Sequence, residues 1–289
     1  MPHLVPGVSS DSHSHGIGNG DAATTAPGAL PELCASIHDR VDAFLKSEPA
    51  TERLRRVQEQ SRLSLKVLEE ALERYSLDEL SLSYNGGKDC LVLLILYLSA
   101  LHSHASKTSA PHSSNGASHP PPPRLPNQLR SVYIISPHPF TEIDDFVNSS
   151  LRTYHLALAR YAKPMKEAFA AYLHDTPSVR AIFVGTRRTD PHGATLAYFD
   201  PTDRGWPAFM RIHPVIDWHY AEIWAFLRAL GVPYCELYDK GYTSLGGTTD
   251  TFPNPALKRD DPGGGNKEAG FRPAYELVED DEERLGRDR

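Results

Sequence analysis

The sequence predicts an α/β fold built on a mainly parallel sheet with helices on both faces. Short β-rich runs alternate with helical patterns along the chain, and parallel strands need such crossovers because a tight turn joins only antiparallel neighbours. The polar and glycine-rich runs follow the strands. That places them at the carboxyl edge, where open parallel sheets bind ligands.

Residues 1–28 are rich in Gly, Ser, His and Ala, bury too little to offset chain entropy, and are expected to be a disordered tail with no metal role for His3, His13 or His15. From Leu30 to Tyr75 apolar residues such as Leu54, Val57, Val67, Leu68 and Leu72 recur at helical spacing and predict one or two amphipathic helices. Strands are expected over 80–84, 131–136 and 179–185, and helices over 90–101, 143–161, 165–173 and 220–230. Residues 29–256 read as the main domain, with a Pro-, Ser- and Ala-rich surface insertion over 103–127. Residues 257–270, with three consecutive glycines, read as a flexible linker to a C-terminal segment over 271–289 that has enough apolar residues to dock back on the domain.

The formal charge of −7, from 30 Lys+Arg against 37 Asp+Glu, gives no broad cationic surface for nucleic acid or an anionic membrane. Anions must therefore be held by a local site. Cys34, Cys90 and Cys235 are isolated, which argues against a disulfide framework or zinc site and suits a reducing compartment. No Lys or Arg precedes Arg40, so no secretory or transit peptide is legible, and a cytoplasmic monomer is expected. The most apolar run, over 90–101, is short of the roughly 20 residues that span a bilayer and reads as a buried helix.

The run Asn85-Gly86-Gly87-Lys88-Asp89-Cys90 carries a strand into a glycine turn and then an apolar helix. Glycines let backbone approach an anion, and the helix directs free N–H groups and its positive dipole end at it. This is neither a Walker A loop nor a dinucleotide G-x-G-x-x-G. It resembles the SGGxDS loop of the ATP pyrophosphatase group, with Asn85 and Cys90 in place of serines. The third strand ends in Gly185-Thr186-Arg187-Arg188-Thr189-Asp190-Pro191, which sets two guanidiniums and a carboxylate at a strand end. Then comes Asp203-Arg204-Gly205-Trp206-Pro207-Ala208-Phe209-Met210-Arg211, and later Lys240-Gly241-Tyr242-Thr243-Ser244-Leu245-Gly246-Gly247.

Together these motifs resemble those of the eukaryotic, fungal-type FMN adenylyltransferases (FAD synthases), on a PAPS reductase-like (adenine nucleotide α-hydrolase-like) fold. The resemblance implies transfer of AMP from MgATP to FMN, giving FAD and pyrophosphate. It implies catalytic roles for Asn85, Lys88, Asp89, Arg187 and Asp190, and nucleotide contacts at Ser83, Asn85, Gly86, Gly87, Lys88, Asp89 and Ile134. Flavin and phosphate contacts are implied at Gly185, Arg187, Asp190, Asp203, Arg204, Gly205, Trp206 and Arg211. The closing run Glu283-Arg284-Leu285-Gly286-Arg287 resembles an element that packs arginines on bound flavin, which implies Arg284 on the isoalloxazine face and Arg287 beside it. Its removal is expected to weaken flavin binding far more than ATP binding. Relatives place an acidic residue after the second strand where this chain has Ile135-Ser136-Pro137-His138, which leaves only the Ile134 backbone contact at that strand end. The remaining alternatives are a PAPS reductase or sulfate adenylyltransferase subunit on the same fold, or a non-catalytic nucleotide-binding protein.

Overall fold

The computed structural model describes residues 29–109, 125–259 and 270–287. Two amphipathic helices come first, α1 (Leu30–Lys46) and α2 (Glu52–Arg74). The start of α2 is fixed by Thr51, whose hydroxyl accepts from the Leu54 N–H at 3.2 Å. There follow β1 (Leu80–Ser83), α3 (Lys88–Ser109), β2 (Leu129–Ile134), α4 (Thr141–Thr153), β3 (Leu156–Tyr161) and α5 (Met165–Asp175). β4 (Ala181–Phe183), β5 (Phe199–Pro201), β6 (Met210–Ile212) and α6 (Tyr220–Ala229) complete the regular elements.

The six strands lie in the order β3-β2-β1-β4-β6-β5, all neighbours parallel except β5 with β6. Side chains alternate across the sheet. Leu80, Leu82, Leu129, Tyr133, Ala181 and Phe183 join a large core with α1, α2, α3, α4 and α6. Val132 and Ile182 face the other way and pack with Phe169 and Tyr172 of α5, and Ser81 completes that face by a 2.6 Å hydrogen bond with the Tyr172 hydroxyl. Helices therefore cover both faces, as expected. The chain runs from β1 to β2 in one direction and to β4 in the other, so the carboxyl ends of β1 and β4 flank a topological switch point.

Several expected boundaries are corrected. The helix expected over 143–161 stops at Thr153, the chain turns at His155 with φ 50°, and 156–161 forms β3. Its Leu-Ala-Leu-Ala composition suits a helix, but pairing along all of β2 decides the outcome. β5 and β6, three residues each, are too short for any periodic signal. α3 continues to Ser109 and so takes in the first residues of the expected insertion, while Leu125, near its far end, packs on the core. The rest of that insertion and the expected N-terminal tail lie outside the described residues.

α3 is long and apolar enough to cross a bilayer, yet 67% of its apolar window is buried inside the protein, as a core helix requires. The ends of the expected linker are tied down: Lys258 forms an isolated antiparallel bridge with Phe271, and the Arg272 N–H donates to the Leu257 carbonyl at 2.8 Å. The C-terminal segment docks as expected. Ala274 and Leu277 are buried, Tyr275 meets Trp224 edge-on, and the Phe252 N–H donates to the Gly286 carbonyl at 2.8 Å.

Candidate active site

A cavity of about 670 Å³ opens at the switch point, with a polar half against α3 and an apolar half against α5. The polar half begins where β1 ends. Tyr84 is anchored by its N–H to the Val132 carbonyl at 2.9 Å and its hydroxyl to Ser150 at 2.8 Å. Asn85 Oδ1 accepts from the Gly87 N–H at 2.9 Å, closing the turn that aims α3 at the cavity. Gly86 has φ 73°, and a Cβ there would stand 2.9 Å from Val147 Cγ2, so both conformation and space require glycine. Across the switch point a Cβ on Gly185 would meet the Cys90 N and Sγ at 3.0 Å, which shows how closely the end of β4 abuts the helix start.

A buried charge network runs from this wall into the interior. Lys88 Nζ is 2.9 Å from Asp89 Oδ2 and 2.5 Å from Glu283 Oε1. Arg187 is wholly buried; it meets Asp89 Oδ1 at 2.7 Å, Asp190 Oδ1 and Asp280 Oδ1 at 3.5 Å each, and Glu283 as well. Burial alone would lower Lys88, but Asp89 and Glu283 hold it above its ordinary value, so it stays charged. Burial alone would raise Asp89, but Arg187 and Lys88 outweigh it and hold the carboxyl below the usual range. Asp190 goes the other way, raised first by burial and then by the Asp89 charge, with Arg187 offsetting only part.

The apolar half is walled by Met165 and Phe169 of α5, Trp206, Phe209, Leu196 and Ile134, with the Phe169 and Phe209 rings 5.1 Å apart. Arg211 lies at its edge, donating to the Pro201 carbonyl at 2.9 Å and pairing with Asp203 at 3.4 Å. His213 lines the same half, buried, with neither ring nitrogen in a well-aligned hydrogen bond. The C-terminal segment closes the cavity: Thr243 Oγ1 donates to the Glu283 carbonyl at 2.6 Å and Asn254 Nδ2 to the Glu282 carbonyl at 2.8 Å, which presents Arg284 and Arg287 to the opening.

Residues 79–253 match the phosphoadenosine phosphosulfate reductase domain. The chain is 41% identical over 244 residues to a probable FAD synthase of Schizosaccharomyces pombe, covering 84% of each protein. The chain belongs to the FAD synthase family. It is 36% identical over 239 residues to the flavin adenine dinucleotide synthase of Saccharomyces cerevisiae, covering 79% of this chain and 76% of that protein. Its fold matches the crystal structure of Candida glabrata FMN adenylyltransferase in complex with FAD and inorganic pyrophosphate, with a TM-score of 0.81 at 29% identity, covering 90% of this chain and 99% of that one.

Of the residues singled out in the sequence of this FAD synthase family member, Ser83, Asn85, Gly87, Lys88, Asp89, Ile134, Gly185, Asp190, Asp203, Trp206, Arg211, Arg284 and Arg287 line the one cavity. Gly86, Arg187, Arg204 and Gly205 do not line it. Gly86 turns against α4, Arg204 and Gly205 form an exposed turn, and Arg187 stands behind the wall among carboxylates rather than facing the opening. Arg188 is also turned away, its Nε 2.6 Å from Asp217 Oδ1. After Ile134, residues 135–138 serve as a dock: the His138 carbonyl accepts from the Thr248 N–H at 2.8 Å beneath the Gly246-Gly247 turn. Sequence reasoning missed Glu283 and His213. Glu283 stands in an acidic run that composition reads as solvated, and only its place beside Arg284 in the closing motif hinted otherwise.

Proposed function

We propose that this protein transfers AMP from MgATP to FMN, giving FAD and pyrophosphate. The observation that carries this is one cavity joining a glycine turn and helix N-terminus, suited to phosphates, to a half walled by Phe169, Trp206 and Phe209, suited to an apolar ring. An oxygen of the FMN phosphate forms the new bond to the ATP α-phosphorus while the bond to the β-phosphate oxygen breaks, and pyrophosphate departs with that electron pair. The attacking oxygen is already ionised near neutral pH, since a phosphate monoester's second pKa is about 6, so no general base is needed. The protein's task is alignment and charge compensation.

In this reading Asn85 sets the turn that aims the N-terminus of α3 at the nucleotide phosphates, while Lys88 holds that helix start in place through Asp89 and Glu283. Arg211, Arg284 and Arg287 border the flavin half. Arg187 acts as a positioning residue that fixes Asp89, Asp190 and Glu283. Magnesium arrives on ATP as part of the substrate: among the described residues no three His, Cys, Asp or Glu side chains are grouped to cage an ion, whereas Asp190 offers one carboxylate at the cavity, enough for an ion whose other partners are phosphates. Bound there, the ion would offset triphosphate charge.

A reductase would need an accessible thiol. Burial pushes the thiols of Cys34 and Cys90 up to about 12 and that of Cys235 to about 11, which suits packing rather than redox chemistry. Incubation of the protein with FMN, MgATP and inorganic pyrophosphatase, followed by chromatography, should yield FAD. Tight binding of both substrates with no FAD would favour a non-catalytic nucleotide-binding protein.

A further inference from the structure

His213 follows β6, and residues 209, 211 and 213 alternate onto the sheet face covered by α5. Phe209 and Arg211 on that face line the flavin half of the cavity, and His213 lines its floor beside Val184. The ring is only 1% exposed, neither nitrogen makes a well-aligned hydrogen bond among the described residues, and the Val184 backbone is the one polar group close enough to act on the ring as a partial partner. Such a buried group costs free energy unless something completes its hydrogen bonds, and here the open side is the cavity.

Burial first, and then the Arg211 charge, push the imidazole down to about 4, against the weaker pull of Asp200 and the Val184 backbone. At neutral pH it carries one N–H and one lone pair and no charge. An uncharged ring is a poor phosphate ligand and a good partner for a flat heterocycle whose edge alternates acceptor and donor. The isoalloxazine ring has such an edge, O2, N3–H and O4, opposite a dimethylbenzene end that suits the Phe169 and Trp206 walls. Adenine has a comparable edge, but β6 lies beyond β4 from the loop after β1, on the side away from the nucleotide half. We propose that His213 hydrogen-bonds the pyrimidine edge of the flavin ring and is a specificity-determining residue for FMN. This inference rests on the reading of the chain as an FMN adenylyltransferase.

Fluorescence titration of the full chain with FMN and with N3-methyl-FMN tests it, alongside calorimetric titration with MgATP. Wild type should bind FMN about 10- to 100-fold more tightly than the methylated analogue, the range expected when one buried polar pair is broken. His213→Leu should lose a similar factor for FMN, no longer discriminate between the flavins, and keep its MgATP affinity. His213→Asn, which retains a donor and an acceptor, should recover most of the loss. The inference is overturned if wild type binds the two flavins equally, if a folded His213→Leu keeps both affinity and discrimination, or if it loses MgATP instead. Should His213→Leu not fold, the wild-type comparison and His213→Asn decide. FAD formation by wild type without flavin discrimination sinks this inference alone; a wild type that neither binds FMN nor forms FAD sinks the functional reading and this inference with it.

Discussion

Glu283→Ala removes the residue that ties the C-terminal segment to both β1 and β4 loops. One carboxylate oxygen lies 2.5 Å from Lys88 Nζ and the other pairs with Arg187, at 7% side-chain exposure. Breaking a buried ion pair by deleting one partner costs about 3–5 kcal/mol, because the remaining charge is left uncompensated. Here the cost should fall near the lower end, since Lys88 keeps Asp89 at 2.9 Å and Arg187 keeps it at 2.7 Å. A loss of about 3 kcal/mol is a large share of a domain stability of about 5–15 kcal/mol. It should show as a lower urea midpoint, with proteolysis first cutting within 271–287. Because Glu283 reaches Lys88 in one half of the cavity while Arg284 borders the other, calorimetry should find MgATP and FMN binding weakened together. The sequence alone leads one to expect that loss of the closing run weakens flavin binding far more than ATP binding, and the ratio of the two losses in this variant tests that expectation. A variant within about 0.5 kcal/mol of wild type, the range of ordinary surface changes, with unchanged MgATP affinity would refute the coupling.

Gly86→Ala combines a left-handed backbone with a methyl 2.9 Å from Val147 Cγ2, and should cost about 2–4 kcal/mol in thermal or urea denaturation; an unchanged midpoint would show that the turn relaxes freely. Asp190 has a raised carboxyl pKa, so its ionised form opposes folding, and that contribution grows as pH rises from the unfolded through the folded pKa. Asp190→Asn should therefore be at least as stable as wild type at pH 7 while FAD formation drops by about 10²-fold or more; a large stability loss with full activity in the folded fraction would make Asp190 structural. Arg284 is exposed and lines the opening, so Arg284→Ala should leave stability unchanged and weaken FMN and FAD binding, read by flavin fluorescence. Equal affinities would reduce it to a surface charge.

The parts of the fold that were legible in the sequence are those where local pattern and tertiary need agree. The run from Leu91 to Leu98 is apolar on every side because α3 is packed on every side, and it read as buried before any neighbour was known. Loop residues Asn85, Gly87 and Asp190 were legible because backbone chemistry at a strand end limits what can stand there. β3 was lost because a half-exposed edge strand of alternating Leu and Ala carries no contrast between its faces. Arg187 was legible in position but not in direction: the sequence shows that a guanidinium follows β4, while where it points depends on Asp280 and Glu283, the latter 96 residues away. Glu283 was hidden for the same reason, since nothing local distinguishes one buried carboxylate in a run of exposed ones.

That network bears on how two polyanions share the cavity. Lys88 and Arg187 face Asp89, Asp190, Asp280 and Glu283, so these two cations, one at the wall and one behind it, are already matched by protein carboxylates and add little net positive potential to the cavity. In the proposed reading, phosphate charge is then left to the helix N-terminus, to Arg284, to Arg211 and Arg287 in part, since Asp203 and Asp250 already pair with them, and to a divalent ion that would travel with ATP. Two unit charges about 4 Å apart interact by about 4 kcal/mol at a near-surface effective dielectric of about 20, so an ion bound to the triphosphate outweighs any single rim contact. Calorimetric titration with ATP in excess chelator should therefore show affinity at least about tenfold weaker than with MgATP, a difference of about 1.4 kcal/mol. Asp190→Asn should narrow that gap, because the carboxylate offered to the ion is gone. Equal affinity for ATP and MgATP in wild type would mean that Lys88 and Arg187 are released from their carboxylates on binding and face the phosphates themselves.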